Sequence, residues 1–133
     1  ALLNAAQAGP NNIAWKTSVG LGQIGDKFNG VEWANLTSLN VERLISMANY
    51  APGGVNPSLA DRRAFFADIW SSAPTTLAAL LALWKRTVTV GEKLYATGTG
   101  SDANPATFGF GVNNASLEGL ITVANVSEAR NLP

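Results

Sequence analysis

Nine acidic and nine basic side chains make up nearly all the charged chemistry of this 133-residue chain. The acids are Asp26, Glu32, Glu42, Asp61, Asp68, Glu92, Asp102, Glu118 and Glu128. A glycoside-hydrolysing pair needs two of them facing each other across a cleft. These nine are scattered over different segments, and Asp61 and Glu92 stand three residues after Ser58 and Thr89, which is helix-capping spacing. Histidine and cysteine are absent, which removes the commonest general base, the commonest zinc ligands, the thiol nucleophile and any disulfide. The run Gly98 to Asp102, GTGSD, has the composition of a phosphate-cradling loop. It lacks the lysine and the preceding strand, and Pro105 stands where a helix should begin. The sequence therefore predicts a chain that is not an enzyme, with no catalytic residue, no metal site, no cofactor and no small-molecule substrate.

The elements that hold these residues centre on Ser58 to Arg86, which reads as two consecutive helices. Ser58 and Asp61 form a capping box with a short acid, so a helix should start at Leu59. Phe65, Phe66, Ile69 and Trp70 follow at three- and four-residue spacing and define a buried aromatic face. Pro74 suits the first turn of a second helix, where its missing N–H costs nothing. Leu77, Leu80, Leu81 and Trp84 then form one stripe, and Lys85 and Arg86 complement the negative end of the helix dipole.

The remaining segments read as follows. Leu2 to Ala8 suits two helical turns, stopped by Gly9 and Pro10. Ile13, Trp15 and Thr17 alternate like a weak strand, and Gly20, Gly22 and Gly25 follow, so residues 1–30 read as a partly extended N-terminal arm. Its Trp15 and Phe28 either tuck onto the core or dock on a neighbouring subunit. A third core helix is capped by Thr37 or Ser38 and buries Val41, Leu44, Ile45 and Ala48. Thr89 and Glu92 cap a short helix from Val90 to Thr97 that buries Leu94 and Tyr95. A β-hairpin is expected near 107–121 and a closing helix after Thr122. The fold class is thus mainly α: a small domain of about four to six helices over 31–133, with a short C-terminal β-hairpin.

Composition narrows the class of partner. The net charge is zero and charged residues make up only 14%, whereas nucleic-acid and anionic-membrane binders carry a basic excess. The second helix, nearly all Ala and Leu between Thr75, Thr76 and Lys85, is unlike a DNA-recognition helix. The longest apolar run, Leu77 to Trp84, is far short of the ~20 residues that span a bilayer. The opening ALLNAAQAGP lacks the basic start and long apolar middle of a signal peptide, so Ala1 is expected to follow either a removed initiator Met or the trimming of a precursor. A chain this neutral and 47% hydrophobic suits a place inside an assembly. The residues expected at an interface are Trp15, Phe28, Arg62, Arg63, Lys85 and Arg86. Partners would be other proteins or a second copy, with no nucleic acid and no membrane.

The run LADRRAFFADIWS through TTLAALLALWKRTVTVGEKLYATGTGSDANPATFGF, closing in EARN, resembles small uncharacterised proteins of the structural-gene regions of tailed bacteriophages and prophages. The likeness covers about residues 58–133 and rests most on EKLYATGTG, Glu92 to Gly100. It implies a virion component, tail- or neck-associated or capsid-decorating, made in the bacterial host cytoplasm. It transfers no catalytic residue.

Overall fold

A computed structural model describes residues 2–9 and 12–108. Among these are six α-helices and several short strands, a mainly α arrangement. The chain divides into two compact units, Trp15–Lys85 and a second made of Ala1–Ala14 with Arg86–Pro133.

The Trp15–Lys85 unit holds helices α1 (Leu21–Gly25), α2 (Gly30–Ala34), α3 (Ser38–Tyr50), α4 (Ala60–Ile69) and α5 (Pro74–Trp84). Local chemistry accounts for most of their ends. Asn29 caps α2 by accepting from the N–H groups of Val31 and Glu32, and the Thr37 hydroxyl caps α3 by accepting from Asn40. Pro74 occupies the start of α5 as expected. The expected capping box at Ser58 does not form. Asn56 Oδ1 takes both the Ser58 N–H and its hydroxyl, so α4 begins one residue later, at Ala60, with no side-chain cap. Gly54, at φ +115°, links α3 to α4, and a Cβ there would collide with the Val19 carbonyl oxygen. Val19 and Val55 exchange two backbone hydrogen bonds at that point, so only glycine lets the loop approach so closely.

Burial follows the aromatic spacing. Phe66, Trp70, Leu80 and Trp84 have no solvent exposure, and Ile69 is also buried. Phe66 meets Trp84 edge-on at 5.2 Å and 78°, and Phe65 meets Phe66 at 5.5 Å and 81°. Such pairs add about 0.5–1.5 kcal/mol each to the area they bury. Trp15, Val19 and Ile24 are buried in this same core and Phe28 packs against it, so these members of the expected N-terminal arm are core residues of the helical unit. On α3 the buried stripe is Leu44 with Met47, whereas Ile45 is 54% exposed. The inward line runs Asn40, Leu44, Met47, and at 100° per residue Ile45 lies beyond its edge.

In the second unit, Thr89 and Glu92 form the expected capping box, but the helix α6 spans only Val90–Lys93. Leu94 and Tyr95, expected in the core, are exposed. The chain turns there into strand β1 (Ala96–Thr97), which pairs antiparallel with β2 (Thr107–Phe108). This pairing takes up the backbone from Ala96 onward, so the helical hydrogen bonds end at Tyr95. Leu2–Asn4 form a single 3-10 turn instead of two helical turns. Ala14, Val88, Ala106 and Phe108 form this unit's small core. The expected hairpin beyond Phe108 and the closing helix lie outside the described residues.

Trp84 sits at the centre of the larger core. Trp84→Ala is expected to lower stability by about 3–5 kcal/mol in equilibrium urea unfolding. A loss below about 1 kcal/mol would remove Trp84 from that role.

Candidate functional site

The helical unit presents its unusual surface around α3. Leu39, Arg43, Ser46 and Tyr50 recur at four- and three-residue spacing, so they share one outward face of this helix. With Glu42, Met47, Ala51, Arg62 and Phe65 they line an open groove of about 580 Å³ between α3 and α4. The helices run antiparallel there, because Asn40 Nδ2 donates to the Ile69 carbonyl and Arg43 Nη1 donates to Asp68 Oδ2 at 2.7 Å. Arg43 also stacks over the Phe65 ring at 5.1 Å, so it is a fixed strut in the groove floor. The other flank of α3 has a smaller slot of about 180 Å³, lined by Leu21, Ile24, Phe28, Trp33, Leu44, Ile45, Met47 and Ala48. Among the described residues, no charged side chain lines that slot.

Several large apolar side chains that line these hollows stand in solvent: Tyr50 is 91% exposed, Leu39 64% and Ile45 54%. Trp33 is at the edge, stacked on Phe28 at 5.3 Å and 14° and tilted against Trp70. A cluster of this kind on a chain of low charge has the character of a contact surface.

A latch joins α2 to the start of α5. Glu32 accepts from the backbone N–H of Thr76 at 2.7 Å and of Thr75 at 2.9 Å. The Asn29 N–H in turn donates to the buried Thr76 hydroxyl at 3.0 Å. The carboxylate thus satisfies two of the unpaired N–H groups at the positive end of α5. Desolvation pushes the Glu32 carboxyl up, but hydrogen bonds from Thr76 and Thr75 together outweigh it and hold its pKa at about 2, against 4.5 ordinarily. Glu32 therefore works as a structural anion.

The six residues expected at an interface separate into different environments. Trp15 is buried, with Arg63 above its ring at 4.4 Å and Lys85 at 5.9 Å. Arg63 also donates to the carbonyls of Pro57 and Ser58, and burial pushes its pKa down. The Arg63 contact ties the segment around Trp15 to the first turns of α4 through a cation–π interaction. Phe28 lines the apolar slot and Arg62 the groove. Arg86 lies in the other unit, in a two-pronged ion pair with Glu92 at 2.8 and 2.9 Å and over the Phe108 ring at 5.5 Å. Glu92 has no solvent exposure and also accepts from the Thr89 N–H. It serves the cap and the ion pair together.

The GTGSD loop closes on itself. Gly98 and Gly100 adopt positive φ, and the Thr99 hydroxyl bonds Ser101 and the Asn104 carbonyl. Among the described residues, no three acids are grouped so as to hold a metal ion. No described helix is long and apolar enough to cross a membrane. Compared with models of protein families, with curated proteins and with solved structures, the chain matches none.

The Glu32 latch has a pH signature. Its folded pKa lies below the unfolded value, so its stabilisation is complete above about pH 4.5 and is lost as pH falls towards about 2. Glu32→Gln is expected to lower stability at pH 7 and to converge with the unaltered chain near pH 2. Unfolding curves that stay parallel across that window would show that another group carries the acid sensitivity.

Proposed function

We propose that this chain is a non-catalytic structural subunit of a bacteriophage virion, tail- or neck-associated or capsid-decorating, that acts through protein–protein contacts. The observation that carries the reading is the surface around α3. Leu39, Ile45 and Tyr50 are left largely in solvent around two hollows. Exposed apolar residues scattered singly are ordinary, but a cluster flanking a groove marks a surface that another protein covers. The balanced charge of the chain, nine acids against nine bases, fits association with proteins better than with a polyanion. The likeness of residues 58–133 to proteins of phage structural-gene regions supplies the context.

Quantitative mass spectrometry of washed particles from the encoding phage or prophage tests this directly. The chain is expected there in multiple copies, at a fixed ratio to the major capsid or tail protein. Abundance in the lysate with none in the particles would replace the reading with that of a small soluble binding or regulatory domain.

A further inference from the structure

We propose that the α3/α4 groove is a two-fold contact between two copies of this chain. The inference rests on the reading of the chain as an assembly subunit and names the partner of that surface. The two ends of the groove carry opposite and complementary chemistry. Glu42 lies in the first turns of α3, near Leu39. Arg62 lies in the first turn of α4, which runs antiparallel to α3, so it stands at the Tyr50 end. Arg43, the other cation of the groove, is already paired with Asp68. The side chains of Glu42 and Arg62 have no ion pair or hydrogen bond among the described residues.

Turning one copy through a two-fold axis across the middle of α3 sets the Leu39 and Glu42 end of each against the Tyr50 and Arg62 end of the other. Leu39 and Tyr50 are eleven residues apart, about 16 Å along the helix, so both apolar contacts are made together. Ser46, between them, is small enough to let the helices approach. Each copy then gains a Glu42–Arg62 pair at both ends, and the exposed Tyr50 ring covers the partner's Leu39. An isologous contact of this kind closes on itself and requires a surface that is its own complement. A groove with one unpaired acid and one unpaired base at opposite ends meets that requirement. A purely basic or acidic groove would not.

Sedimentation velocity of the full chain over a range of concentrations tests the contact. The unaltered chain is expected to show a concentration-dependent dimer. Glu42→Arg and Arg62→Glu should each weaken it by about tenfold or more, because each sets like charges together. The variant carrying both changes should recover the dimer, since the pair is restored with its sense reversed. Tyr50→Ser, read beside them with folding followed by circular dichroism, should also weaken it. If either charge variant fails to fold, Tyr50→Ser decides: an unchanged dimer overturns the proposal. So does a chain that stays monomeric throughout, a dimer indifferent to both reversals, or a double variant that does not recover. A monomer that is nonetheless found in particles would overturn this contact alone and assign the groove to another virion protein. A charge-sensitive dimer absent from particles would do the reverse.

Discussion

The edge-on packing of Phe66 against Trp84 is the contact on which the helical unit depends. It joins α4 to α5 across a break of only four residues, Trp70 to Ala73. Both rings are fully buried, and everything else in the unit is set against them. Trp70 extends the cluster toward Phe28 and Trp33, which fixes the floor beside α2. Ile69, the last residue of α4, gives its carbonyl to Asn40, which fixes the near end of α3. The indole N–H groups of Trp70 and Trp84 find no acceptor among the described residues. Ring burial therefore outweighs an unmade hydrogen bond of about 1–3 kcal/mol at each.

With α4 and α5 joined this way, α3 becomes a platform whose inner side is committed and whose outer side is not. Leu44 and Met47 face the core, Asn40 and Arg43 are tied to the end of α4, and α2 is latched to α5 through Glu32. These restraints lie on the inner side, at the ends or, for Arg43, in the groove floor. Leu39, Ile45 and Tyr50 have no such duty in the fold, and they are the side chains left in solvent. Rigid elements that present apolar side chains already ordered lose less conformational freedom when a partner arrives. This is the physical link between the core and the proposed contact surface.

Much of the architecture was legible because local rules decided it. Pro74 marks a helix start, Thr37 and the Thr89–Glu92 pair mark two more, and the Phe66, Ile69, Trp70 spacing marks the buried face. The misjudged points are those where a competing local group or a distant one won. Asn56 captured Ser58 before it could cap α4, and strand pairing at Ala96 cut α6 short. The surface chemistry was less readable still. Of the residues expected at an interface, Arg62 lines the groove, Trp15 is buried with Arg63 over its ring, and Arg86 pairs with Glu92. Glu32 carries no local signal, since its partners lie more than forty residues away, at Thr75 and Thr76. The groove itself arises from the crossing of two helices, and spacing along one helix does not reveal it.

The most direct measurement of the central claim is hydroxyl-radical footprinting of the dilute chain against the assembled form. The two tyrosines serve as probe and control, one in each unit: Tyr50 beside the groove and Tyr95 in the other unit. If α3 and α4 form the contact surface, oxidation of Tyr50 and of Met47, the single methionine, falls on assembly while Tyr95 is little changed. Equal oxidation of Tyr50 in both states, with protection moving to Tyr95, would contradict the account and place the contact on the second unit.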